Sequence, residues 1–167
     1  GTSAVKEETF NGEHLPRPVT TYDTIYAGTV NVEQALQARV LNALGRLWAS
    51  HRDYQKGLQF AQEAARLTQS SGNTREMARS CLNLGLMSLN LAQLTDAMQQ
   101  LQRALRLFGE SGDAQGQAHA RDVLAMVLLL AGDLDAAMTH YTEALDHLRK
   151  IGDRQTEASC SANLGFA

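Results

Sequence analysis

From about residue 33 onward, apolar positions recur at intervals of three and four residues, the spacing of amphipathic helices. Leu47, Trp48, Tyr54, Leu58 and Ala61 form the first such stripe; Leu94, Met98 and Leu101 take the same roles in a second, and Leu134, Met138 and Tyr141 in a third. Small residues punctuate these stripes at a fixed interval of 40. Gly45, Gly85, Ala125 and Gly165 each follow a leucine, Leu44, Leu84, Leu124 and Leu164. Gly57, Ala97 and Ala137 recur, as do Ala64, Ala104 and Ala144, and Ala38, Ala78, Ala118 and Ala158. A small residue at a fixed helical position lets two helices approach closely, because a larger one overpacks the contact at a cost of about 1–3 kcal/mol.

Between the stripes stand three similar turns, Ser71-Gly72-Asn73, Ser111-Gly112-Asp113 and Ile151-Gly152-Asp153. Gly supplies the left-handed residue that ends one helix, and Asn or Asp caps the next. The pattern predicts an all-α chain of repeats, each a helix A, a short turn and a helix B, at roughly 33–72, 73–112 and 113–152. A lone helix A over 153–167 follows. That last helix ends without a partner, so the sequence reads as a fragment of a longer protein, with self-association through the bare C-terminal helix as the expected consequence. Residues 1–31 break the pattern with Gly12, Pro16, Pro18 and Gly28 and a β-prone Val19-Thr20-Thr21-Tyr22 run. They read as an irregular leader, either without a specific role or lying in a groove of its own chain or a neighbour. Gly1-Thr2-Ser3 looks like an expression remnant that can hide a removed leader.

In Leu44-Gly45, the bulky Trp48, Gly57 and Ala64, the sequence resembles the tetratricopeptide repeat (TPR) family. The usual period of that family is about 34 residues, so the longer interval here is similar to its long-repeat subclass, seen in Pins/LGN-type scaffolds, kinesin light chains and sensor regions of bacterial regulators. The resemblance covers about residues 32–167. It implies a right-handed superhelical solenoid whose A helices line a concave face that binds a peptide segment of a protein partner.

Composition narrows the chemistry. The 167 residues suit one domain or a short solenoid. A net charge of −3 gives no field for a phosphate backbone, and 5% aromatics offer little for base stacking, so no nucleic-acid partner is expected. No apolar run is long enough for a membrane span. Two cysteines, Cys81 and Cys160, do not make a disulfide framework; they read as buried packing residues in a reducing, cytoplasmic compartment. No catalytic or phosphate-loop motif occurs, and neither enzyme activity nor a cofactor is expected. Gly109, Gly112 and Gly116 have the wrong spacing for a phosphate loop. His140, Glu143 and His147 share one helix face, but without a fourth ligand they read as an exposed face rather than a metal site.

Mapped onto the concave face that the resemblance implies, the stripes of helix A are Arg39, Asn42 and Arg46; Arg79, Leu82, Leu86 and Leu89; His119, Asp122, Met126 and Leu129; and Ser159, Ala162 and Phe166. Asn83 and Asn163 flank them, and Asn90 extends the second. An Asn amide offers donor and acceptor to a peptide unit, and arginines one period apart form a basic edge for carboxylates. The expected partner-binding residues are therefore Arg39, Asn42, Arg46, Arg79, Asn83, Leu86, Asn90, His119, Asp122, Met126 and Asn163. The expected partner is an extended or amphipathic segment with acidic and apolar residues. The alternative is a sensor segment of a larger signalling protein, binding an effector or restraining an output domain.

Overall fold

The structure, a computed structural model, describes residues 4–5, 17–18 and 21–165, with side chains described for 32–69 and 72–165. Ala4–Val5 (β1) pairs antiparallel with Arg17–Pro18 (β2). Seven helices follow: α1 (Thr21–Ser50), α2 (Tyr54–Ser71), α3 (Thr74–Asn90), α4 (Leu94–Glu110), α5 (Ala114–Leu130), α6 (Leu134–Ile151) and α7 (Arg154–Leu164). The helices α3, α5 and α7 start one 40-residue interval apart, as do α2, α4 and α6. The helix α1 already begins at Thr21, so residues 21–31 of the expected leader continue the first helix A without a break. Most of the remaining leader lies outside the described residues.

Turn chemistry sets these starts and stops. Asp53, Asn73, Asp113, Asp133 and Asp153 each cap a helix by accepting the backbone N–H three residues on. The backbone is left-handed at Gly72, Gly112 and Gly152, between repeats, and again at residues 52, 92 and 132, between helix A and helix B. At this second set only Gly132 is a glycine; Arg52 and Ala92 hold positive φ with a Cβ present. The turn into α4 is the weakest, since its N-cap Gln93 also makes no side-chain capping bond.

Within each repeat the A and B helices approach at the small residues. A Cβ on Gly85 would stand 2.5 Å from Leu101 Cγ, and one on Gly57 would stand 3.0 Å from the Gly45 carbonyl oxygen and, across to the next repeat, 2.6 Å from Met87 Sδ. Ala38, Ala78, Ala118, Ala61, Ala64, Ala97, Ala104, Ala137 and Ala144 are fully buried. Ala158, their counterpart in α7, is exposed. Each A helix also touches the next, α1 with α3, α3 with α5 and α5 with α7, whereas α2, α4 and α6 do not contact one another among the described residues. Contact along one layer only bends the array, with A helices inside and B helices outside.

Several expected core positions lie at the surface. Leu47 is 54% exposed, and Leu134 and Met138 are also exposed. The counterparts of Leu47 one and two intervals on, Met87 and Val127, are fully buried against the preceding repeat. Leu47 has no preceding repeat to meet among the described residues. Trp48 is half-buried, with Lys56 Nζ 4.2 Å from its ring centroid.

Two expectations follow for stability. Gln93→Asp should stabilise by about 1 kcal/mol through a restored cap, and Ala92→Gly by about 0.5 kcal/mol net of the added freedom of the unfolded chain. Together they should raise the thermal midpoint by about 3–6 °C, read by circular dichroism. Gly85→Leu should abolish cooperative unfolding altogether.

Candidate functional site on the inner helix layer

The residues expected to face a partner divide into three groups. Arg39, Arg46, Arg79, Asn90 and His119 are exposed, whereas Leu86, Met126 and Asn163 are half-buried. Asn42, Asn83 and Asp122 are buried. For Asn42 and Asn83 the expectation of a free surface amide does not match the structure, and the Asp122 carboxylate is buried as well. Asn83, 5% exposed, donates from Nδ2 to Asn42 Oδ1 at 2.9 Å, and Asn42 Nδ2 donates to Ser80 Oγ at 3.0 Å. Ser80 in turn donates to the Glu76 carbonyl. These amides spend their hydrogen bonds joining α1 to α3.

The same link recurs two intervals later, where Asn163 Nδ2 donates to Asp122 Oδ1 at 3.1 Å and joins α7 to α5. Both pairs are 41 residues apart. In the middle of the array the equivalent positions carry Leu82 and Val123, both in the apolar core. The inner layer is thus joined at one register by polar, apolar and polar contacts in turn. Sequence spacing locates this register but does not separate its two sides, since a residue facing the next A helix and one facing the concavity are neighbours on one helix.

What remains open gathers at the N-terminal end. An open depression of about 380 Å³ lies between α1 and α3, lined by Leu36, Arg39, Val40, Arg46, Glu76 and Arg79 among others. Glu76 was not among the expected residues. It is 7% exposed, and its Oε1 takes Arg79 Nη1 at 3.4 Å and Arg39 Nε at 3.9 Å. Its Oε2 is buried without a hydrogen-bond partner. Arg79 also reaches Asp113, as does Arg75. Arg46 makes no ion pair among the described residues. Glu76 was hidden in the sequence because its counterparts at the 40-residue interval, Leu36, Gly116 and Thr156, carry no charge.

Further along, His119 is exposed to water but lies within the curve, and loss of surrounding solvent holds its pKa below the ordinary imidazole value. Asp122 and Asp153 oppose that shift, and Arg46 adds to it. Cys160 is fully buried, its Sγ 3.8 Å from the Tyr141 carbonyl. Burial, then the Asp122 charge, pushes its thiol pKa up to about 12. Burial raises Cys81 as well. Neither cysteine is bonded to another. Of the three residues considered for a metal, Glu143 pairs with Arg121 at 2.9 Å, and His140 is half-buried with an unpartnered Nδ1. Among the described residues no three His, Cys, Asp or Glu side chains converge as a metal group. None of the described helices is long and apolar enough to cross a membrane.

Asn83→Ala leaves the Asn42 amide oxygen unpaired in a buried place, so it should destabilise by about 1–3 kcal/mol in chemical denaturation. The raised thiols give a second readout. Above the ordinary thiol pKa the unfolded chain loses protons that the folded chain keeps, so stability should fall as pH rises from about 9 toward 12. At pH 8 both thiols should react with a disulfide reagent only as fast as the chain opens.

The known proteins add a fold and little else. A solved structure, the crystal structure of the TPR domain of Arabidopsis FLU, superposes with a TM-score of 0.65 over 70% of this chain and 98% of that one, at 18% identity. A family profile described as the P-type ATPase actuator domain matches residues 1–46. That match ends inside α1, and the array from Leu47 onward lies outside it. No curated protein matches the chain significantly. The chain is a TPR-like, all-α helical repeat solenoid.

Proposed function

We propose that this chain is a non-enzymatic interaction module that binds a peptide segment of a protein partner along its inner helix layer. The observation carrying this reading is the contrast between positions that repeat and positions that do not. Small residues and caps recur every 40 residues and hold the fold, whereas the exposed inner-layer residues Arg46, Asn90 and His119 have counterparts of different chemistry at that interval, and only Arg39 and Arg79 match each other. An exposed surface that follows no structural repeat is free to serve recognition. The A helices are the layer that curves inward, so an extended segment there meets several helices at once.

The binding set is the exposed and half-buried subset: Arg39, Arg46, Arg79, Leu86, Asn90, His119, Met126 and Asn163. Asn42, Asn83 and Asp122 act beneath it by fixing the spacing of the A helices. The array belongs with the long-repeat, right-handed TPR solenoids on its 40-residue interval. Self-association through the exposed side of α7, where Ala158, Ser161 and Ala162 are uncovered, and residence in the cytoplasm complete the reading.

Arg46 is the cleanest probe, because reversing Arg79 would also disturb Glu76 and Asp113. Panning a random peptide library displayed on phage against the chain should recover competing binders. Arg46→Glu should weaken those binders by about tenfold or more, while Arg106→Glu, exposed on the outer helix α4, should leave them unchanged. Both variants should unfold within about 0.5 kcal/mol of the parent chain. Equal loss in the two variants would contradict binding on the inner layer.

A further inference from the structure

The first helix pair is built unlike the two that follow. Among the described residues of α1 and α2 the buried apolar side chains are all alanine, Ala38, Ala61 and Ala64. Larger side chains there, such as Leu44, Leu58 and Phe60, are half-buried. The later pairs bury Leu101 and Phe108 in α4 and Tyr141 and Leu148 in α6. Their two apolar clusters, one across α3, α4 and α5 and one across α5, α6 and α7, meet at Met126, and neither includes a residue of α1 or α2. The seam between α1 and α3 is polar as well: Asn83 to Asn42, Asn42 to Ser80, and the 3.9 Å pair of Arg39 with Glu76. Its apolar part is Met87, seated over Gly57. Glu76 keeps Oε2 buried without a hydrogen-bond partner, a costly state that its counterpart Gly116 does not impose on the next seam. Among the described residues α1 is also held from one side, since Val40 and Leu47 are more than half exposed while their counterparts Ser80 and Met87 are fully buried.

We propose that α1 and α2 form an arm that leaves α3 as one unit while α3 to α6 stay folded, so that the inner face is made and unmade at the α1–α3 seam. In a stacked array each unit is held by what it buries itself and by what it shares with its neighbour. A unit with an alanine core and a polar seam therefore opens at lower cost than the whole chain. The link that carries the arm is short: α2 ends at Ser71 and α3 starts at Thr74, leaving Gly72, with a φ of 67°, and Asn73 between them. Among the described residues no atom stands within 4 Å of the place that a Cβ on Gly72 would take, so packing does not hinder rotation there. The consequence for binding rests on the peptide-binding reading above. Arg39 and Arg46 are on α1, whereas Arg79, Leu86 and Asn90 are on α3, and an open arm takes the two sets apart. A ligand that bridges them binds the closed arm alone and so holds it shut.

Amide hydrogen exchange of the full chain without ligand, read by mass spectrometry across a series of low urea concentrations, tests the arm. Amides in the middle of α1 and of α2 should exchange at least about 100-fold faster than the slowest amides of α4. Their rates should also rise less steeply with urea, because an opening arm exposes less surface than the unfolding chain. Val127→Ala removes part of the apolar cluster that stays folded when the arm is open. It should speed exchange in α4 by about tenfold and leave α1 and α2 unchanged. Equal rates and equal urea slopes in α1, α2 and α4 overturn the proposal, as does acceleration of all three helices by Val127→Ala. Fast exchange confined to the ends of α1, with α2 as slow as α4, overturns it too. The urea slopes need no variant, so they decide the matter even if Val127→Ala folds poorly. These rates belong to the free chain, so failure of the peptide-binding reading would leave them as they are.

Discussion

A methyl group cannot be added at residue 85 without entering the side chain of Leu101, and the rest of the molecule follows from that closeness. Two helices brought together at Gly and Ala positions bury their facing stripes with no room for larger side chains. One such pair has too little buried surface to stand alone, and a second pair stacked at the same 40-residue interval covers the first. Because the A helices touch one another and the B helices do not, each added pair turns the array in the same sense. The curve of the inner face is a by-product of packing.

The inner layer has a second constraint, less visible and more specific. Asn83 bonds to Asn42, and Asn163 to Asp122, at one register, with Leu82 and Val123 between. Polar links in an interior fix a register where apolar contacts alone permit sliding, and each half of such a pair depends on the other. These links set the distance between α1 and α3, which present Arg39 and Arg79, and between α5, which presents His119, and α7. In the proposed binding reading, recognition then depends on residues that a ligand need not touch.

Much of the architecture was legible in the sequence because its causes are local. Gly72, Gly112 and Gly152 ended helices, Asn73, Asp113 and Asp153 began them, and the small residues at 40-residue intervals lay in the contacts as far as α6, while Ala158 and Gly165 in and after α7 are exposed. The left-handed turns at Arg52 and Ala92 were not legible, since neither residue type favours that backbone and only Gly132 in the third unit hints at it. The exposure of Leu47 depends on what stands before α1, which periodicity within the described chain does not reveal. The candidate site was the least legible part. Asn42 and Asn83 lie on the correct helices, yet their burial arises from a neighbour 41 residues away, and Glu76 lies where every other unit is uncharged.

The central claim is that the A helices form the inside of a curved repeat array. Double electron–electron resonance between spin labels one interval apart tests it directly, using His119 with Ser159 on the inner layer and Thr95 with Asp135 on the outer, all exposed. Cys81 and Cys160 are buried and stay unlabelled in the folded chain. The account predicts a shorter, narrow distance for the inner pair and a longer one for the outer pair. Equal distances, or a longer inner one, would contradict it.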